Sequence, residues 1–237
     1  MIYEYKGTRV NYSILGDGKI PIVFLHGWGG NIKSFDFICK YLDFDYKALF
    51  IDFPPFGQSD QPKCDFTIFD YSQLTLNIIK ENKLNKPILV GHSFGGRVGV
   101  ILANGGFVSK LMLVNSAGLK PRRNAKYFFR VLKNKIYKKL RIKKQIGSKD
   151  YLSLSVNMKK TFSNIVSTFL DKYAININVP TVIFWGKKDK ETPCYMAKRF
   201  KRLIKNSELV LLKNAGHFSY LDELNTFVKV LNYFVKN

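Results

Sequence analysis

The sequence predicts an α/β protein with a mostly parallel central sheet, flanking helices and one short helical insertion. Three observations predict it. Short apolar strands alternate with helix-length segments between residues 20 and 114. That rhythm breaks over residues 119–175 and resumes at Pro180. The 237 residues include 20 Phe and 13 Tyr, enough large side chains to fill one core, so neither disorder nor a disulfide-stapled miniature fits.

The elements follow in order. Residues 2–5 and 9–15 read as strands, and Gly16-Asp17-Gly18 as a tight turn. Residues 20–25 form an apolar strand that delivers His26-Gly27-Trp28-Gly29-Gly30. Asn31 caps a predicted helix over 32–41, where Ile32, Phe35, Ile38 and Leu42 mark one face. Strand 46–51 leads into Asp52-Phe53-Pro54-Pro55-Phe56-Gly57-Gln58-Ser59-Asp60, and a helix is expected over 68–82. A strand at 88–90, a helix at 94–104 and a strand at 110–114 complete the first run.

Residues 120–149 carry 13 Lys or Arg and no Asp or Glu, out of a formal net charge of +22. Phe129, Leu132, Ile136 and Leu140 recur there at helical spacing, which predicts an amphipathic basic helix. A second helix is predicted from Leu154, Met158, Phe162, Ile165 and Phe169. Beyond Pro180, strands at 182–185 and 209–212 and helices at 192–201 and near the C-terminus restore the α/β pattern. The expected organisation is a core of residues 1–118 and 176–237 with a helical cap at 119–175.

Several function classes lose support at this level. Cys39, Cys64 and Cys194 are odd in number and show no zinc or redox-pair spacing. The first residues lack an apolar signal core, and no run approaches a membrane span, so a soluble, cytoplasmic protein is expected. The histidines have no ligand spacing and the glycines no dinucleotide-loop pattern. No metal and no organic cofactor is expected.

The strongest chemical signal is Gly91-His92-Ser93-Phe94-Gly95-Gly96, placed after an apolar strand and before a helix. A sharp strand-to-helix turn lifts a serine Oγ out of the backbone and aims helix N–H groups at developing negative charge. Serine needs a base, and His217 follows the strand at 209–212. Asp189, after Trp185-Gly186-Lys187-Lys188, is placed to orient that imidazole. The competing readings are a helix-capping His217 and a solvated turn at Asp189. Backbone N–H groups of Trp28 and Phe94 are the natural oxyanion donors. His26 and His92 flank the site as loop-holding residues. His26, Trp28, Phe56, Phe94, Met158 and Phe218 are expected around the substrate pocket, although each is also a plausible core residue.

These motifs, together with Gly216-His217-Phe218, resemble those of α/β-hydrolase fold enzymes over residues 20–235, the cap excepted. The resemblance implies nucleophile, acid and base at Ser93, Asp189 and His217, and hence a serine esterase acting on a small or medium acyl ester. Ser93 stands where dehalogenating and epoxide-opening relatives have Asp. Carbon–carbon bond hydrolases of ring-fission products usually have Asn at the position of His92 and often Trp at that of Phe218. The loop at 26–29 is similar to that of the esterase acting on pimeloyl-carrier-protein methyl ester. That likeness raises a further alternative, an acidic acyl-carrier protein docked on Arg122, Arg123, Lys126, Arg130 and Lys133; a solvated lysine-rich face is the simpler reading of the same residues. A non-catalytic small-molecule receptor is the alternative from another class. Affinity for nucleic acid would be non-specific on so basic a chain.

Overall fold

The computed structural model describes residues 1–122, 152 and 154–237. The basic helix expected around residues 129–140, with Arg123, Lys126, Arg130 and Lys133, lies outside the described residues. Eight strands form one sheet: β1 (Ile2–Tyr5), β2 (Thr8–Leu15), β3 (Ile20–Leu25), β4 (Tyr46–Ile51), β5 (Ile88–His92), β6 (Lys110–Val114), β7 (Thr181–Gly186) and β8 (Ser207–Leu212). Their order is β1-β2-β4-β3-β5-β6-β7-β8. β1 pairs antiparallel with β2, and β2 antiparallel with β4; every later pairing is parallel.

The parallel strands are apolar on both faces because both faces are covered. Along β3, Val23 and Leu25 pack on one side while Ile22 and Phe24 pack on the other. The first side is closed by α1 (Ile68–Glu81), α2 (Phe94–Asn104) and α5 (Tyr195–Leu203), through residues such as Leu74, Val98 and Phe200. The second is closed by α7 (Leu224–Lys236), through Phe227 and Leu231, and by the segment 32–41. Between β6 and β7 the chain inserts α3 (Val156–Ser167) and α4 (Asp171–Ala174). A short α6 (Ser219–Asp222) precedes α7.

Segment 32–41 departs from expectation. It is two 3₁₀ helices, Ile32–Ser34 and Asp36–Tyr41, interrupted at Phe35 (φ −135°). The Phe35 ring packs 5.5 Å from Phe24 and 4.6 Å from Tyr220 by centroid, and this burial outweighs helical continuity. Asn31 does cap the first of them, accepting from the Lys33 N–H. The helix expected over 192–201 begins at Tyr195 instead, because Thr192 turns its hydroxyl and amide toward Asp189. Phe169 falls beyond α3 and is exposed. No helix among the described residues is long and apolar enough to cross a membrane.

Candidate active site

The loops leaving the carboxyl ends of β3, β5, β6, β7 and β8 bring Gly27, Ser93, Asn115, Asp189 and His217 to one edge of the sheet. Parallel sheets place their sites at this edge because successive βα loops open side by side there.

Ser93 occupies the turn from β5 into α2 with φ +48° and ψ −106°. That conformation is unfavourable for a residue with a side chain, costing on the order of 1–3 kcal/mol. Surrounding bonds hold it: Ser93 N–H donates to Val114 O, Ala117 N–H to Ser93 O, and Gly95 N–H to His26 O, at 3.0, 3.0 and 3.1 Å. The close approach of α2 to β3 explains Gly95, where a Cβ would collide with the Leu25 carbonyl. Gly27 is similarly constrained, since a Cβ there would stand 2.7 Å from His92 Nδ1.

His217 Nδ1 lies 2.9 Å from Asp189 Oδ2. Asp189 Oδ2 also accepts from Asn115 Nδ2 (2.5 Å) and Thr192 Oγ1 (2.6 Å). The other oxygen, Oδ1, takes the amides of Glu191 and Thr192 at 2.8 and 3.0 Å. Burial alone would raise the Asp189 pKa, but the donors from His217, Thr192 and Asn115 outweigh it and hold the carboxyl below its ordinary value. An imidazole bound through Nδ1–H to such a carboxylate keeps its Nε2 lone pair for proton abstraction. In this structure Nε2 faces Glu191 Oε2 at 3.3 Å, and no hydrogen bond joins it to the Ser93 hydroxyl.

Asn115 anchors the acid from the end of β6. It sits at φ +43°, a region Asn tolerates, and also donates to Gly216 O at 3.1 Å while Ser219 Oγ donates to its Oδ1. Neither Asn115 nor Thr192 belongs to a sequence motif. Their signal was positional only: the first residue after β6, and three residues beyond the acid.

His26 and His92 serve as loop ties. His26 Nε2 accepts from Phe53 N–H (2.9 Å), and its Nδ1 donates to Gly27 O (2.7 Å). His92 Nε2 donates to His217 O at 3.0 Å. Burial lowers the His26 pKa to about 4; burial together with His217 lowers that of His92 to about 3. Both rings are therefore neutral near pH 7.

Two cavities meet at Ser93. The larger, about 640 Å³, is walled by Trp28, Phe94, Phe162, Ile165 and Val166, with Arg97 on its lining. The smaller, about 230 Å³, is lined by Gly27 to Gly30, His217, Phe218 and Tyr220. Glu191 borders both. Trp28, Phe94 and Phe218, expected around the substrate pocket, line these cavities. His26, Phe56 and Met158 line neither cavity, which corrects that part of the expectation. His26 is buried and occupied at both nitrogens, Phe56 packs behind the Trp28 ring at 4.9 Å, and Met158 is buried. Among the described residues, the amides of Trp28 and Phe94 donate to no protein acceptor.

No group of three His, Cys, Asp or Glu among the described residues could hold a metal. The three thiols are free, and none lines either cavity.

A family model described as alpha/beta hydrolase fold matches residues 20–171 and 144–224. The chain belongs to the α/β-hydrolase fold family. Among curated members, an AB hydrolase superfamily protein, YisY, of Bacillus subtilis is 29% identical over 244 residues, covering 88% of each chain. A pimeloyl-[acyl-carrier protein] methyl ester esterase of Wigglesworthia glossinidia brevipalpis is 25% identical over 260 residues, covering 95% of this chain and 97% of its own. Among solved structures, an esterase from Exiguobacterium antarcticum superposes with a TM-score of 0.78 at 24% identity, covering 98% and 97%. This α/β-hydrolase thus shares its architecture with that solved esterase along nearly its whole length.

Proposed function

We propose that this α/β-hydrolase is a serine esterase that cleaves a carboxylic ester of a small or medium acyl group. One observation carries the reading: an imidazole bonded to a buried carboxylate shares a cavity with a serine held on a strained strand-to-helix turn. The relatives named as esterases agree with it.

On this reading the exposed Glu191 side chain swings away and His217 Nε2 turns to the Ser93 hydroxyl. His217 takes that proton as Oγ attacks the ester carbonyl. The amides of Trp28 and Phe94 receive the oxyanion, and such a donor pair contributes several kcal/mol to the transition state. His217 then protonates the leaving alcohol. Water, deprotonated by the same ring, attacks the acyl-enzyme and releases the acid and Ser93. Asp189 stays ionised throughout and stabilises the imidazolium. The aromatic walls of the larger cavity suit an apolar acyl chain.

The test is hydrolysis of p-nitrophenyl esters from acetate to palmitate by the wild type and Ser93→Ala. The expected result is a chain-length optimum in the wild type and a loss of at least about 10³-fold in the variant. Equal turnover by both proteins contradicts the assignment.

A second reading places the ester on an acidic acyl-carrier protein bound by the cap. It is favoured by the 13 basic residues between 120 and 149 and by full-length similarity to two pimeloyl-[acyl-carrier protein] methyl ester esterases, at 25% and 24% identity.

A further inference from the structure

Arg97 lies one helical turn beyond Ser93, about 6 Å along the axis of α2. Only 7% of it is exposed, and it is the buried cation of the described residues. No carboxylate among them forms an ion pair with it. Its Nη1 donates to the carbonyls of Ile165 and Thr168, both at 2.9 Å, where α3 ends. Arg97 thereby caps the C-terminus of α3, whose carbonyl end offsets about half a unit charge. Nε and Nη2 make no hydrogen bond among the described residues. Capping therefore accounts for one of the three guanidinium nitrogens. The remainder belongs to a side chain on the lining of the 640 Å³ cavity, which also reaches Ser93; its walls are mostly apolar, with Trp28, Phe94, Phe162 and Ile165, and it is also lined by Thr192 and Glu191.

A charge kept inside apolar walls is costly unless a counter-charge offsets it. Here no described carboxylate lies within ion-pair distance, Glu191 on the same cavity included, and burial draws the guanidinium down only to about 10, so it is cationic at neutral pH. A planar fork of this kind matches the two oxygens of a carboxylate. An independent observation agrees: a chain of net charge +22 attracts anionic small molecules as they approach.

We propose that Arg97 binds a carboxylate at the far end of the substrate's acyl chain, so that the preferred substrates are half-esters of dicarboxylic acids. This rests on the serine-esterase reading for its chemistry, with Ser93 attacking the ester while Arg97 holds the opposite end.

The experiment compares kcat/KM for the monomethyl esters of glutarate, adipate and suberate with methyl esters of monocarboxylic acids of the same length. The wild type is expected to favour the best half-ester by about tenfold or more, the effect of one charge-assisted contact. Arg97→Met is expected to bring that ratio to about one, and Arg97→Lys to retain part of it. The ratio is the readout, because a purely helix-capping Arg97 would lower both rates together and leave the ratio alone. No preference in the wild type, or an unchanged ratio in Arg97→Met, overturns the proposal. Thermal unfolding with free adipate separates the two readings. A rise in Tm that is lost in Arg97→Met supports the subsite even if no ester is turned over, in which case the esterase reading alone fails. Absence of any rise in the wild type counts against the subsite.

Discussion

His26 and His92 show what single buried side chains add to pH behaviour. Their folded pKa values of about 4 and about 3 lie below the ordinary 6.5, so below pH 6.5 the unfolded chain binds protons that the fold refuses. Stability therefore rises with pH across the window from about 4 to 6.5 and is lost as pH falls through it. Asp189 is held below its ordinary 3.8 and releases its contribution beneath that window. His92→Asn is expected to flatten the pH dependence of the urea midpoint between pH 6.5 and 4; curves parallel to the wild type would remove His92 from the explanation. Ser93, Asp189 and His217 were legible in the sequence because each sits in a short local pattern of glycines after an apolar strand. Asn115, Thr192, Glu191 and Arg97 were not, since their partners lie as far as 104 residues away and only folding selects them.

Among the elements, the Asp52 loop shows how strands and turns are tied together beneath the site. Asp52 Oδ1 accepts from Ile32 N–H at 2.7 Å, and Oδ2 accepts from Asn11 Nδ2 and Gln58 N–H at 2.8 and 2.9 Å. One buried carboxylate thus joins β2, the first 3₁₀ helix and the loop after β4. Asp52→Ala strands three donors and is expected to cost about 3 kcal/mol in urea denaturation. A loss below about 1 kcal/mol would show that water replaces the carboxylate freely. Strands β5 and β7 were readable because each carries an apolar run, Ile88 to Val90 and Val182 to Trp185, between turn signals. The segment 32–41 resembles an α-helix in sequence because Ile32, Phe35 and Ile38 recur every third residue, a spacing shared by 3₁₀ and α-helices. Strand order was not legible at all, since it depends on which strands pair rather than on local pattern.

At the scale of the whole molecule, charge and architecture make separate statements. The family membership and the sheet account for where the site lies, whereas the excess of basic residues concerns what approaches it. If a carrier protein docks on the cap, kcat/KM for a carrier-bound ester exceeds that for the free ester at low salt. The advantage then shrinks as salt shortens the screening length to about 8 Å near physiological ionic strength. Equal efficiency at low salt removes the carrier and leaves the basic stretch as a solvated face.

On the serine-esterase reading, Ser93 is the acylated nucleophile and His217 its base. Treatment with a fluorophosphonate followed by peptide mass mapping addresses it without knowledge of the natural ester. One phosphonyl adduct is expected, on the Ser93 peptide, with labelling abolished in Ser93→Ala and slowed at least about 10³-fold in His217→Ala. An unlabelled wild type, or an adduct on another residue, would contradict it.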